Sequence, residues 1–399
     1  MKNLFKRWLT GLEKVYQAKT EEEKEAVYRL RYRVFVDELN KEVINADHRT
    51  RQIRDPEDAF PNTTLLYTVS NGSLTGALRV TLWQPEAITR DLSNTYSLHL
   101  FPDIQNHTIS EVSRLVASAQ SRGQLVLPAL ARACYDFVAG ENGCHFGFSF
   151  CAPGLVRPYR RLGYRPYNAS MISTADGLRV PLIMITSDRA YFQEVNSPLS
   201  PFVSTYFGSG RNRIPPLDLS AYRKVLGESE THIKVKPEQV WQQIQSELSN
   251  GNQQAFSLME NLTEREVRKL AEQGMILQVQ PYQTVTREDL HEREMFVILD
   301  GVFVVFSGDR RLAMLHKGDV FGEVALLLDN GRRMASIRAL NRGKLLVLRR
   351  KFIEDMMDRE PKIAAKLLFN ISRIMAQRFV SMIKPDEPQV NAADANLSP

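Results

Sequence analysis

At 399 residues, 43% hydrophobic, 25% charged and +6 in net charge, the chain is long enough for two or three domains of ordinary globular composition. Its pI of about 9.1 rests on a modest excess over 46 acidic residues, which does not demand a DNA- or RNA-binding surface. No stretch approaches the ~18–20 apolar residues of a membrane span, and Cys134, Cys144 and Cys151 lack paired zinc-ligand spacing, so free thiols in a reducing compartment and no metal are expected.

Met1–Thr20 is amphipathic through Leu4, Phe5, Trp8, Leu9, Leu12, Val15 and Tyr16. Lys2, Lys6, Arg7 and Lys14 interrupt any signal-peptide core, so the segment reads as a helix docked on its own domain and the protein as cytoplasmic. A membrane surface or a partner would be the other places for such a helix. The acidic run Glu21–Glu25 leads a helical pattern through Val27, Leu30, Val34 and Phe35, complementing the helix dipole. Thr64–Ser70 and Leu74–Leu82 read as two strands joined at Asn71-Gly72. Ile109–Ala117 is another strand, Leu125–Gly140 a helix, and Cys144–Cys151 and Leu182–Thr186 short buried strands. This mixture makes residues 1–195 an α+β domain.

Asn196–Pro216 holds four prolines and two glycines and reads as a linker or long crossover. It opens a polar connector, 196–252, that is helical at Pro237–Leu248. Residues 253–383 change grammar: a helix at Thr263–Gln273, short strands with glycine turns, and a long helix at Pro361–Ile383. Met295–Leu299 and Val302–Phe306 flank Asp300-Gly301, a type I′ hairpin signal. The regular strand spacing predicts a small β-barrel or jelly-roll with flanking helices. Residues 384–399 are polar and read as a disordered tail.

Charged residues recur in order through the first domain. Arg31 and Phe35 stand four apart on one helical face, Asp55 and Asp58 follow in Asp55-Pro56-Glu57-Asp58, and Arg79 lies in a strand. Glu111-Val112-Ser113-Arg114 places an acid and a base in a later strand. Gln120, Ser121, Arg122, Gly123 and Gln124 precede a helix, and Tyr159-Arg160-Arg161-Leu162-Gly163-Tyr164 closes the series. In this order the residues resemble the acyl-homoserine-lactone synthases and the related long-chain N-acyl amino acid synthases, branches of a GNAT-like fold with a mixed sheet flanked by helices. The resemblance covers residues 15–190 and rests on R-x-x-x-F, D-x-x-D, a strand arginine and E-x-S-R. It implies acyl transfer from acyl-CoA or acyl carrier protein to an amine, with Arg31, Phe35, Asp55, Asp58, Arg79 and Arg114 at the substrate. Glu111 would take the amine proton, Tyr159 would protonate the leaving thiolate, and Gln120–Gln124 would hold the donor at a helix N-terminus. An ion-pair cluster is the alternative for Arg31, Asp55, Asp58 and Arg79. Leu125 stands where the donor turn has a small residue, which argues against acetyl-CoA and leaves acyl carrier protein or a longer acyl-CoA, and Glu38–Val43 holds no tryptophan, which argues against lactone synthesis.

In the last domain Phe321-Gly322-Glu323-Val324-Ala325 is followed by Arg333-Met334-Ala335-Ser336, with Glu323 and Arg333 ten residues apart. A guanidinium fork suits a cyclic phosphodiester, and a carboxylate accepts from a ribose hydroxyl. Gly322 lets backbone come close, and a short helix from Val324 adds N–H donors. FGE, an apolar run and R-x-A-S resemble the phosphate-binding cassette of cyclic-nucleotide-binding domains such as that of the bacterial catabolite activator protein, over residues 253–382. Arg332 is a solvated neighbour on this reading, and Gly331-Arg332 replace the proline common before the arginine. Ser336 leans toward cAMP over cGMP. Sixteen residues after the last helix are too few for a DNA-binding winged helix. Together the two resemblances imply a cAMP-regulated N-acyltransferase, with homodimerisation possible. A binding-only sensor with a degenerate acyltransferase domain, and a regulated protein lysine acetyltransferase, are the alternatives.

Overall fold

The computed structural model describes residues 13–39, 43, 45–70, 72–119, 126–167, 169, 171–174, 177–210, 213–227, 233–234, 236–249, 257–329 and 331–383. The first part contains β1 (Val15–Gln17), β2 (Ala46–Asp47), β3 (Gln52–Ile53), β4 (Thr63–Ser70) and β5 (Ser73–Trp83). It continues with β6 (Ile109–Ala117), β7 (Phe146–Cys151), β8 (Arg165–Pro166), β9 (Ile172–Thr174) and β10 (Gly177–Ile185). The large sheet runs β1-β4-β5-β6-β7-β10-β8, with β9 on β10. Its neighbours are antiparallel except β6 and β7, which are parallel.

Strand alternation sorts this sheet into two faces. Leu65, Tyr67 and Ala77 pack on Val27, Tyr28 and Leu30 of the helix Glu21–Tyr32. Leu66, Leu78 and Val80 pack on Val126, Leu130 and Cys134 of the helix Val126–Tyr135. The first helix starts where expected because Thr20 and Glu23 form a reciprocal capping box, with three glutamates in its first turn. The second is shorter than Leu125–Gly140 as an α-helix and continues as wider π turns over Asp136–Glu141.

Parallel pairing of β6 with β7 stops at Glu111–Phe148. Beyond it β6 stays with β5 and β7 with β10, so the two strands part. A register shift against β5 falls between Ala77 and Arg79, and Arg114 opposite it takes a left-handed φ of 53°. A bulge of this kind bends its strand and re-aims side chains.

Two expectations change here. The described part of Met1–Thr20 is strand, not helix: Val15–Gln17 pairs with Leu66–Thr68, because an edge of the sheet offers more hydrogen bonds than a lone amphipathic turn. Asn196–Pro216 contains a helix, Ser200–Tyr206, and Leu199, Val203 and Phe207 are buried beside Leu182 and Phe192.

The last part contains β11 (Ile233–Lys234), β12 (Met275–Val279), β13 (Thr284–Thr286), β14 (Glu294–Asp300) and β15 (Phe303–Ser307). β16 (Arg310–Leu315), β17 (Val320–Phe321), β18 (Ser336–Ala339) and β19 (Gly343–Arg349) complete it. They form two antiparallel sheets, β11-β12-β19-β14-β17 and β13-β18-β15-β16. This is the jelly-roll side of the expectation and not the barrel side, since the described strands leave the sheets open at their edges. Phe296, Ile298, Phe303, Phe321 and Leu345 fill the space between the sheets. The alternate residues Met295, Val297, Leu346 and Leu348 face the helices Pro237–Ser249, Glu264–Gln273 and Pro361–Ile383. At Asp300-Gly301 only the glycine takes positive φ, at 97°, so the turn is not type I′. The expected tail, 384–399, lies outside the described residues.

Candidate functional site

The charged residues of the first domain meet at one place. Arg31 grips Asp58 through two hydrogen bonds, 2.6 and 3.1 Å, with both side chains fully buried. Asp58 also caps the turn it sits on, accepting from the Asp55 amide at 2.8 Å. Arg114 forks onto Asp55 at 2.6 and 2.7 Å, and Arg79 reaches Asp55 at 3.1 Å and Asp58 at 3.4 Å. Asn45 and Ser113 add bonds to Asp55 and Arg79. Arg114, Arg79 and Asn45 more than offset the burial of Asp55 and hold its carboxyl below the usual range. Arg31, Asp55 and Asp58 are all buried within this cluster. Arg114, with a quarter of its side chain exposed, is open to solvent and lies over the Phe35 ring at 5.9 Å.

Glu111 is on the same face of β6, where its carboxylate accepts from the Tyr96 hydroxyl at 2.9 Å. Burial pushes its pKa up, and the Tyr96 bond and Arg79 only partly oppose this. Its neighbours Ser110 and Val112 point the other way, into an apolar cavity. Leu78, Leu115, Leu127, Cys134, Leu162, Met184 and Leu199 line it, together with Tyr159. Burial raises the Tyr159 phenol and Cys151 adds to the shift, while Ser149 and Arg179 oppose it. Glu111 and the apolar cavity thus lie on opposite faces of the sheet, at the level where β6 and β7 part. Ser149 bridges the split, donating to the Val112 carbonyl at 2.7 Å. Gln120, Ser121, Arg122, Gly123 and Gln124 lie outside the described residues.

The cassette of the last domain forms one pocket wall. Phe321 ends β17, Gly322 turns at φ 81°, and Glu323–Leu327 is a short helix that buries Glu323 and Ala325 and half-buries Val324. A Cβ at Gly322 would fall 2.3 Å from Arg333 Nη1. Residues 290–292 pair with 331–333 through Arg333 N to Leu290 O, 2.8 Å, and Glu292 N to Gly331 O, 2.9 Å. This pairing brings acids to Arg333, which is 2% exposed. Arg333 Nε donates to Glu292 at 3.3 Å, Nη1 donates to the Glu294 carbonyl at 2.6 Å, and Nη2 stands 3.6 Å from the Glu294 carboxylate. Its plane lies over Phe296, which stacks on Phe321 at 4.8 Å. Glu323 is 5% exposed and accepts from Arg378 of the long last helix at 2.5 Å.

Two polar atoms in this wall are buried without a hydrogen bond: Glu323 Oε2 and Arg333 Nη2. One is an acceptor and the other a donor, as a ribose hydroxyl and a phosphate oxygen require. Arg332 is exposed on Asp289 at 2.7 Å, the solvated neighbour expected. Met334 is exposed and Ala335 half-buried, and the Ser336 hydroxyl accepts from the Glu288 amide at 3.0 Å. Tyr96, Glu292, Glu294 and Arg378 escaped the motif reading. The glutamates alternate at the head of an apolar strand, a local signal, whereas Tyr96 and Arg378 reach their partners only through the fold.

Residues 26–188 match the family model of N-acyl amino acid synthase FeeM, and residues 276–360 match that of the cyclic nucleotide-binding domain. No curated protein matches the chain. Among solved structures, a cyclic nucleotide-binding domain from Methylobacillus flagellatus is 16% identical, covering 41% of this chain and 95% of its own at a TM-score of 0.32. The Thermus thermophilus catabolite activator protein is 23% identical, covering 32% of this chain and 62% of its own at a TM-score of 0.28. The N-terminal domain of a Streptomyces coelicolor transcriptional regulator is 22% identical, covering 34% and 95% at 0.28. No helix among the described residues is long and apolar enough to cross a membrane, and they hold no cluster of metal-ligating side chains. The chain thus joins a segment like the N-acyl amino acid synthases to one like the cyclic nucleotide-binding domains.

Proposed function

We propose that this protein is a cytoplasmic N-acyltransferase whose activity is set by a cyclic nucleotide, with cAMP as the effector. The chain divides into an acyltransferase domain, 1–195, a connector, 196–252, and a sensor, 253–383. The observation that carries the sensor reading is the pair of unbonded buried atoms, Glu323 Oε2 and Arg333 Nη2. Glu323 Oε2 has no hydrogen bond and Arg333 Nη2 has only the Glu294 carboxylate at 3.6 Å, and a cyclic nucleotide offers a hydrogen-bond partner to both at once.

In the acyltransferase, the acyl chain of an acyl-CoA or acyl carrier protein lies in the apolar chamber, with its thioester at the split between β6 and β7 and Gln120–Gln124 gripping the donor's phosphates. Backbone N–H groups after Arg114 polarise the carbonyl. Glu111 takes a proton from the amine, directly or through water, the nitrogen bonds to the carbonyl carbon, and the carbon–sulfur bond breaks. Tyr159 gives the departing thiolate its proton. Arg114 and Phe35 face the acceptor, and Arg31, Asp55, Asp58 and Arg79 hold Arg114 in place. The exposed Phe369, Phe379 and Ile383 on the last helix support a homodimer.

A panel of acyl-CoA and acyl carrier protein donors against amino acids, read by mass spectrometry with and without cAMP, tests the reaction. Amide product whose rate changes with cAMP is expected; no transfer in either condition sinks the enzyme reading. Arg333→Ala abolishes nucleotide binding by calorimetry, and unchanged affinity refutes the site. A binding-only sensor has one observation in its favour: the charged cluster around Asp55 is largely satisfied within itself.

A further inference from the structure

Glu292 stands between two cations from different parts of the chain, and Glu294 shares one of them. On one side is Arg333. On the other is Arg179 of β10, whose Nη1 lies 3.9 Å from Glu292 Oε1, with both side chains only 10% exposed. Two glycines of the acyltransferase segment make room for these carboxylates. A Cβ at Gly154 would fall 2.1 Å from Glu294 Oε1, and one at Gly177 would fall 2.8 Å from Glu292 Oε1. Gly154 belongs to the turn that leads into the helix Val156–Arg161, and that helix carries Tyr159. The same helix is tied to the sensor a second time, by Arg157 Nη2 donating to the Gly274 carbonyl at 2.7 Å.

Charge balance makes this arrangement sensitive to an anion. Arg333, Arg179, Glu292 and Glu294 are close together in a place with little water. A phosphodiester at Arg333 adds one negative charge, and two carboxylates already occupy that guanidinium. Like charges in a poorly solvated site repel strongly. Glu292 has Arg179 to turn to, and Glu294 loses its hold on Arg333 and with it the position that packs on Gly154.

The geometry points to a relay in which Glu292 and Glu294 compete with the cyclic phosphate for Arg333 and pass its arrival to the Tyr159 helix through Gly154 and Arg179. This deepens the function proposed above and rests on its nucleotide site. Because coupling is reciprocal, whatever fills the chamber beside Tyr159 alters nucleotide affinity by the same factor.

The test uses the full chain with cAMP as the probe. Calorimetry on Glu294→Gln and Glu292→Gln gives tighter binding than wild type, on the order of tenfold, because a competitor has been removed. Unchanged or weaker affinity in the folded variants overturns the relay. A second measurement needs no variant: hydrogen exchange on the wild-type chain shows changed protection at residues 153–161 when cAMP saturates it. Unchanged exchange there overturns the relay even if the variants fail to fold. Wild-type chain that binds neither cAMP nor cGMP refutes the nucleotide site itself, a different failure from binding without transmission.

Discussion

Single side chains in this protein are tuned by what surrounds them, and Glu111 is the clearest case. Its carboxyl is raised by burial and lowered by the Tyr96 hydroxyl. A base must be ionised to act, so the acidic limb of kcat/KM should lie above the ordinary carboxylate value of 4.5. Tyr96→Phe removes the bond that favours the charged form, so the limb moves to higher pH; a limb that stays put in the pH–rate profile would exclude Glu111 as the base. Glu111→Gln should remove the limb and cut kcat by roughly 10²–10⁴. Arg31 and Asp58 obey a different rule. With both fully buried, losing one partner strands the other, and Asp58→Ala should cost about 3–5 kcal/mol in denaturant unfolding. At this scale the motif residues were readable, because Glu323, Arg333, Glu111 and Arg114 sit in short ordered strings. Tyr96 was not, since nothing local ties it to Glu111, fifteen residues away.

Among the elements, strand period and caps were legible: Ile109–Ala117 and Pro361–Ile383 form with the expected bounds. The bulge that puts φ 53° on Arg114 was not, because a positive φ on an arginine follows from its two bonds to Asp55 and not from arginine's own preference. The first strand was misread for a similar reason: Val15–Gln17 has a pattern compatible with a helix turn, and the free edge of β4 decides. The turn before the sensor's short helix allows a sharper forecast. Gly322 takes φ 81° and sits against Arg333 Nη1. Gly322→Ala should displace that guanidinium and weaken cAMP binding at least about tenfold, while a φ suited to glycine makes the fold about 1 kcal/mol less stable. Wild-type affinity in that variant, by calorimetry, would mean that Arg333 does not hold the phosphate.

For the whole molecule the decisive feature is a buried cluster that runs from Tyr135, Leu178 and Val180 to Met275, Phe296 and Phe321 without a break. Segments that share a core unfold together, so calorimetry should give one transition, and saturating cAMP at 100 times Kd should raise stability by about 2.7 kcal/mol across it. Two separable transitions, only one of them moved by cAMP, would show the halves to be independent. The sequence by itself determined the two kinds of fold, the order of charged residues along the first, and the cassette in which Glu323 and Arg333 stand ten residues apart. These rest on local spacing, which a linear chain carries openly. Only the tertiary structure decided that Asp55 and Asp58 are buried against Arg31, Arg79 and Arg114, that Arg378 meets Glu323, and that Glu292 reaches both Arg333 and Arg179. Those contacts join residues tens to over a hundred positions apart, and their partners are chosen by how the sheets and helices pack, which no short stretch of sequence specifies.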